Sequence, residues 1–454
     1  MLALAVVMVL APQNVSFDDK VLATIDDEVT ADKVVFSPDG RSVAYRGLKA
    51  GKYAVYTNKA KGPEYQAVDM LQFTADNRVS YKAANGEMWS VIVGGSPVGG
   101  TQRQIGTPVF SPDGKKVAWD GSRGQGGAQD AKAAHVVVGG TKGADYAAVG
   151  KPIWAADGQT LAHTVRIGKA GSATRAFHTV HAVVIGAKVG PEYEEVASPI
   201  FAPKGHRVAY KARNGDFTWH MNVDGKPEDT WTALADPVWS PDGKRLAYRA
   251  SNKPNEWFVV VDGQKSGPFD ALGSDPIWSP DSKQVGFIVR KGLDAWVQVG
   301  GDKKSEAFPE CALPAWSPDG STIAFAAKGK GRWMMVSGDK RGPDDLENVG
   351  APIWSPDSKR IAYACMWKFK WIVVIDDGKN TQFDAVQPPV WSPDSKKVAY
   401  AAQQAGKWKM VVAYRHGLPF DEICTPPYWN SDGTKVAFGG RIGGDLVWRV
   451  LPGE

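Results

Sequence analysis

The stretch 237–250, PVWSPDGKRLAYRA, decides the fold of this chain. A close copy, APIWSPDSKRIAYAC, occupies 351–365, and another, PPVWSPDSKKVAYAA, occupies 388–402. PVW reads as a short apolar strand entered through proline, which a strand tolerates at its first position. SPDG or SPDS is a tight turn: proline fixes φ at one central position, aspartate bonds back to the backbone, and glycine accepts a positive φ. KRLAYRA alternates polar and apolar with period two, the pattern of a half-buried strand. After a Lys-bearing loop, EWFVVVDG is a strand rich in β-branched and aromatic residues that ends in an Asp-Gly hairpin turn. KSGPFDAL supplies a fourth strand.

The aromatic residue ahead of the turn recurs at Phe36, Phe73, Phe110, Trp154, Phe201, Trp239, Trp278, Trp316, Trp354, Trp391 and Trp429, eleven copies at steps of 37 to 47 residues. Four antiparallel strands in about 38 residues, with no helical period, describe one blade of a β-propeller. A second aromatic column, Trp89, Trp219, Trp257, Trp296, Trp333, Trp371, Trp408 and Trp448, lies 16 to 19 residues after the anchors, with Tyr53 in the same place in the first copy. Together the two columns hold fifteen of the 18 tryptophans, so the indoles are expected to pack blade against blade rather than to form a ligand platform.

The element x-P-φ-W-S-P-D-G-K-x-φ-A-φ resembles the WD-like Pro-Asp repeat of the TolB-type β-propellers, and the resemblance runs from about residue 20 to 451. Copies one and two lack the proline before the anchor, and FTADNRVSY (73–81) and FAPKGHRVAY (201–210) depart from the turn pattern. The resemblance implies an all-β propeller. It leaves function open, because the same repeat occurs in binding scaffolds, in propellers attached to peptidases and in a few lyases.

The last copy stops after its third strand, DLVWRVL, and an additional strand-like piece, KVLATIDDEV (20–29), precedes the first anchor. Pairing the two removes exposed edges and predicts adjacent chain ends. Two arrangements fit eleven repeats: rings of five and six blades over 20–225 and 226–454, or one ring over 20–454. The change from mostly Phe to all-Trp anchors favours the first, and the unbroken period favours the second.

Composition narrows the function. A net charge of +5 over 454 residues is too small to argue for nucleic acid. The three cysteines, Cys311, Cys365 and Cys424, are too few to staple a fold. Residues 1–15 carry an apolar run of about ten residues, too short for a membrane span and suited to a signal peptide, so a periplasmic or secreted location is expected.

No nucleophile motif is present: G-x-S-x-G is missing, and the glycine-rich GSRGQGG (121–127) lacks the Lys-Ser/Thr of a phosphate loop. The repeated turn aspartates, such as Asp113, Asp242 and Asp319, stand singly and do not make a calcium site. Six of the seven histidines lie between 135 and 220. His178 and His181 of HTVH are the candidate metal ligands, but His163 replaces a repeat tyrosine and His206 a turn lysine. The set is therefore spread over different strands and read as structural, with no cofactor expected.

The expectation is a non-enzymatic binding scaffold that recognises a protein or cell-envelope component through loops on one face. The contact residues would be Arg123, Gln125, Arg175 and His178 in and beside two insertions (121–134 and 167–180), and Arg290, Lys291, Lys330, Arg332, Lys368, Lys370 and Lys407 on a basic rim. Acids that reach the same face, among them Asp270, Glu310, Glu347, Asp384, Asp421 and Glu422, should partly cancel that rim. The alternatives are a metal-assisted polysaccharide lyase or hydrolase working in the channel, and a regulatory propeller acting with a peptidase in trans.

Overall fold

The computed structural model describes residues 15–453 apart from 59, 123–133, 170–177, 216 and 302. Among the described residues every regular element is a β-strand. The strands form eleven antiparallel sheets of four or five strands, each a blade of one β-propeller ring.

The sixth blade shows the plan. Its innermost strand is in two pieces, Ala233–Leu234 and Val238–Trp239, both paired to the second strand Leu246–Lys253. The third and fourth strands are Glu256–Val261 and Gln264–Phe269. The break falls before Pro237, which has no N–H to give a ladder; in the eighth blade the inner strand Glu310–Trp316 passes the equivalent Pro314 as one strand with a shift in register. In the first two blades, which lack that proline, the inner strands Thr30–Phe36 and Ala67–Phe73 run unbroken.

The turn aspartate does the structural work expected of it. Ser240 Oγ donates to Asp242 Oδ1 at 2.6 Å, and that oxygen accepts the Lys244 N–H at 3.0 Å. Ser240 Oγ also accepts the Arg245 N–H at 2.9 Å. The same Ser–Asp bond recurs at Ser111, Ser279, Ser317, Ser355 and Ser392. Where the turn ends in serine instead of glycine, the hydroxyl reaches the preceding blade: Ser282, Ser358 and Ser395 accept the N–H groups of Asp242, Asp319 and Asp357.

Blades are joined by the anchors. Each anchor tryptophan sends its Nε1–H to a carbonyl of the previous blade's inner strand, as in Trp278 to Val238 (2.9 Å), Trp354 to Ala315 (3.1 Å) and Trp391 to Ile353 (2.8 Å). A basic residue just after the turn caps the indole from above; the Arg245 and Arg360 guanidinium carbons lie 4.8 Å from the ring centres of Trp278 and Trp391. The second aromatic column differs in degree from the expectation. Trp448 is buried, but Trp89, Trp219, Trp257, Trp296, Trp333, Trp371 and Trp408 are only half-buried.

In each second strand the residue two places after the one paired with the anchor fills the gap between blades. It is Tyr45, Tyr81, Trp119, His163, Tyr210, Tyr248, Phe287, Phe325, Tyr363, Tyr400 and Phe438 around the ring, all buried. The apolar clusters therefore straddle neighbouring blades rather than sit inside one. Ala202, Ala209 and Met221 of the fifth blade pack with Trp239, Leu246 and Tyr248 of the sixth.

That cluster and the Trp239 Nε1 bond to Ile200 O (3.0 Å) join the fifth blade to the sixth as any other pair is joined. The eleventh blade closes on the first: Val43 and Tyr45 pack with Ala437 and Trp448. One ring of eleven blades results, not rings of five and six. The chain's first described strand, Lys20–Thr24, pairs antiparallel with the last, Asp445–Pro452, as the sequence predicted.

Candidate binding face

Strand order fixes two faces. The Ser-Pro-Asp turns and the hairpins between third and fourth strands lie on one, the turn face. The loops between second and third strands, and the connections from blade to blade, lie on the other, the loop face. The described strands that bound the two insertions, Val117–Ser122 with Ala134–Val138 and Leu161–Lys169 with His178–Ile185, are second and third strands, whose facing ends lie on the loop face. Arg123, Gln125 and Arg175, like the apolar N-terminal run, lie outside the described residues.

His178 opens the third strand of the fourth blade and is half-buried. Arg290, Lys291, Lys330, Arg332, Lys368, Lys370 and Lys407 are all exposed, at the loop ends of the seventh to tenth blades. The fold thus brings these candidates to one face but spreads them along an arc.

The acids reaching that face do more than cancel charge. Asp384, in the connection between the ninth and tenth blades, accepts Lys370 Nζ at 2.7 Å and the Ala405 N–H at 2.8 Å. Asp421, one blade on, accepts Lys407 Nζ and the Gly443 N–H. Glu347 pairs with Arg332 at 3.0 Å and accepts the Phe369 N–H at 3.4 Å. Each acid ties the loop of one blade to the loop of the next. Lys370 and Lys407 accordingly hold the Asp384 and Asp421 carboxyls below the usual carboxylate range. Arg290, Lys291 and Lys330 have no carboxylate at ion-pair distance among the described residues, and Lys368 lies 4.3 Å from the centre of the Trp367 ring.

The loop tips also carry side chains that charge counting misses. Phe217, Leu293 and Phe369 are 75%, 91% and 83% exposed, in the loops of the fifth, seventh and ninth blades. Phe217 and Phe369 hold φ near 60°, a conformation that bulky residues avoid. A cation stands in or beside each loop: the Arg213 guanidinium carbon is 5.5 Å from the Phe217 ring centre, Lys291 precedes Leu293 by two residues, and Lys368 adjoins Phe369. The sequence signal was available, since hairpin tips ordinarily carry small or polar residues.

A groove of about 370 Å³ between the second and third blades, lined among others by Met88, Arg103, Ser122, His135 and Lys142, adjoins the strands that bound the first insertion. His135 Nδ1 lies 3.2 Å from Asp145 Oδ1 there. His178 and His181 are three residues apart on one strand and so face opposite sides of the sheet. His181 Nδ1 bonds instead to Glu194 O at 2.6 Å. Among the described residues no group of three or more His, Cys, Asp or Glu side chains is placed to hold a metal ion. The three thiols are unpaired, with burial pushing each up to about 12. No described helix is long and apolar enough to cross a membrane.

No family model and no curated protein matches the chain. Among solved structures it is similar to one described as the eukaryotic initiation factor, at 13% identity over 88% of this chain and 89% of that one, with a TM-score of 0.41. It is similar to TolB from Acinetobacter baumannii at 16% identity over 64% of this chain and 80% of that one, TM-score 0.26. The β-propeller domain of the Trilobed protease from Pyrococcus furiosus aligns at 13% identity over 58% of this chain and 92% of that one, TM-score 0.28. β-Propellers, TolB included, are thus among its structural neighbours.

Proposed function

We propose that this chain is an exported, non-enzymatic binding scaffold of the TolB-like class that captures a protein or cell-envelope component across its loop face. The observation that carries the reading is the set of tips at Phe217, Leu293 and Phe369, each presenting a large apolar side chain to solvent beside a cation. Contiguous exposed apolar patches mark interaction surfaces; these tips stand on alternate blades of the loop face and are separate apolar contacts, each beside a cation, that a broad partner would meet together. Removing each Å² of apolar surface from water contributes about 25 cal/mol to association. The acid ties between loops hold this face in shape before any partner arrives, which lowers the ordering cost of binding.

The test is capture from a cell-envelope extract by the full chain carrying F217S, L293S and F369S together. The expected result is loss of capture with an unchanged melting transition, since the three side chains pack against little. Capture at the parental level overturns the assignment of these tips. Deleting 123–133 and 170–177 separately asks whether the insertions share the work, and unchanged capture removes them from the contact face.

A further inference from the structure

Ten of the eleven blades place a Tyr, Trp or Phe in the second strand two places after the residue paired with the anchor, and the fourth blade places His163 there. Elsewhere that ring spans the gap to the fourth strand of the preceding blade. The hydroxyls of Tyr81, Tyr210 and Tyr363 come within 3.0 to 3.8 Å of where a Cβ would stand on Gly62, Gly190 and Gly342. Gly143 is the matching glycine of the third blade, in KGADY against KGPEY. Among the described residues, the atoms so close to its Cβ position are the backbone oxygen and carbon of Val136 in its own blade. The imidazole is too short to cross.

The space left over is a cleft of about 540 Å³ between the third and fourth blades, lined among others by Val136, Tyr146, Trp154, Leu161, His163 and Val184. Its walls are mostly apolar. His163 is 7% exposed; its Nδ1 is sealed from the cleft and has no hydrogen-bond partner among the described residues, so Nε2 is the ring nitrogen left to meet a ligand. Burial pushes the imidazole down to about 4, so the ring is neutral at ordinary pH and offers one donor and one acceptor. Lys116, Gln159, Gly186 and Ala187 place one end of the cleft at the turn face, away from the surface assigned above. Mostly apolar walls with a few placed polar groups are the usual form of a small-molecule site.

We propose that this cleft binds a small uncharged aromatic ring bearing one hydroxyl, a phenol, whose ring occupies the space between the blades and whose hydroxyl hydrogen-bonds His163 Nε2. A charged ligand is disfavoured by the apolar walls, and a ring without a hydroxyl covers Nε2 without giving it a hydrogen bond.

The test uses the full chain at neutral pH with p-cresol and toluene as probes, followed by calorimetric titration and thermal shift. Wild type is expected to bind one p-cresol at least tenfold more tightly than toluene. H163Y restores the repeat's own filling; it is expected to fold, to melt higher and to lose at least tenfold in p-cresol affinity. H163L keeps a similar volume without the nitrogen, and should bind the two probes alike. Free phenols and protein tyrosine side chains share this chemistry. Binding of N-acetyltyrosinamide assigns the site to protein tyrosines as well, and its exclusion while p-cresol binds assigns it to free phenols. Failure of wild type to bind p-cresol, equal wild-type binding of the two probes, or undiminished p-cresol binding by a folded H163Y overturns the proposal.

Discussion

The indole nitrogen of Trp448 donates to the backbone carbonyl of Ser16 at 2.8 Å, across 432 residues of sequence. It is the closing contact of the ring, made by a side chain with no exposed surface, and it replaces the anchor-to-carbonyl bond that the first blade's Phe36 cannot make. W448F should therefore cost about 1 kcal/mol for the lost hydrogen bond, and W448A about 3–5 kcal/mol through the cavity as well. Denaturant midpoints measured alongside W257A, a half-buried member of the same column, give the comparison, and W448A should fall furthest.

Ser358 sits at φ 65° and accepts the Asp319 N–H at 3.0 Å. Glycine there relieves the backbone while losing the bond, whereas alanine loses the bond and keeps the strain. S358A is expected to be destabilised by about 1 kcal/mol or more and S358G by less. Thermal denaturation of the pair reads the order directly.

The turn serines hold the carboxyls of Asp242, Asp281, Asp319, Asp357 and Asp394 below the usual range. A lowered folded-state pKa contributes stability that is fully present above the ordinary carboxylate value and is lost as pH falls through the folded one. D319N should accordingly be less stable than wild type at neutral pH, with the gap closing in acid. Urea titrations at pH 7 and pH 3 check it.

His163 has the opposite charge type and the same direction of loss. Its pKa falls from 6.5 to about 4 on burial, so the unfolded chain takes up the proton first as pH drops. Stability should decline between pH 6.5 and about 4, by an amount on the order of 3 kcal/mol at full effect. The titratable side chains sharing its cleft are Lys116 and Tyr146, with no carboxylate among them. H163F should lack this part of the slope, which the difference between the two pH–stability curves isolates.

Asp384 and Asp421 neutralise Lys370 and Lys407 on the loop face. The pairs are exposed and screened by solvent, so D384N and D421N should leave the melting transition nearly unchanged. They should, however, delay elution from a heparin column, because two cations become available to an anionic surface.

Much of this was legible before any coordinates. The Pro-Asp turn, the alternation after it and the recurring anchor specify a blade, and the truncated last repeat with the spare strand at 20–29 specifies how the ring closes. The contacts of the loop face were not legible. Lys370 and Asp384 are 14 residues apart, and Phe217 and Phe369 are 152 apart, with no local pattern joining either pair. His163 stood out as a departure from the repeat, but whether Tyr146 and Trp154 would close over it depends on backbones already fixed by the neighbouring interfaces.

The sequence by itself determined the blade and its closing strand, because turn chemistry, period-two burial and ring packing are local and repeat every 38 residues or so. Only the tertiary structure decided that the blades form one ring of eleven and that the interface beside His163 stays open. The physical reason is that ring size accumulates from a small angle at each interface, and each interface looks the same from inside a single repeat. That angle is set where Trp239 meets Ile200 and where Trp448 meets Ser16, between residues that no window of sequence holds together.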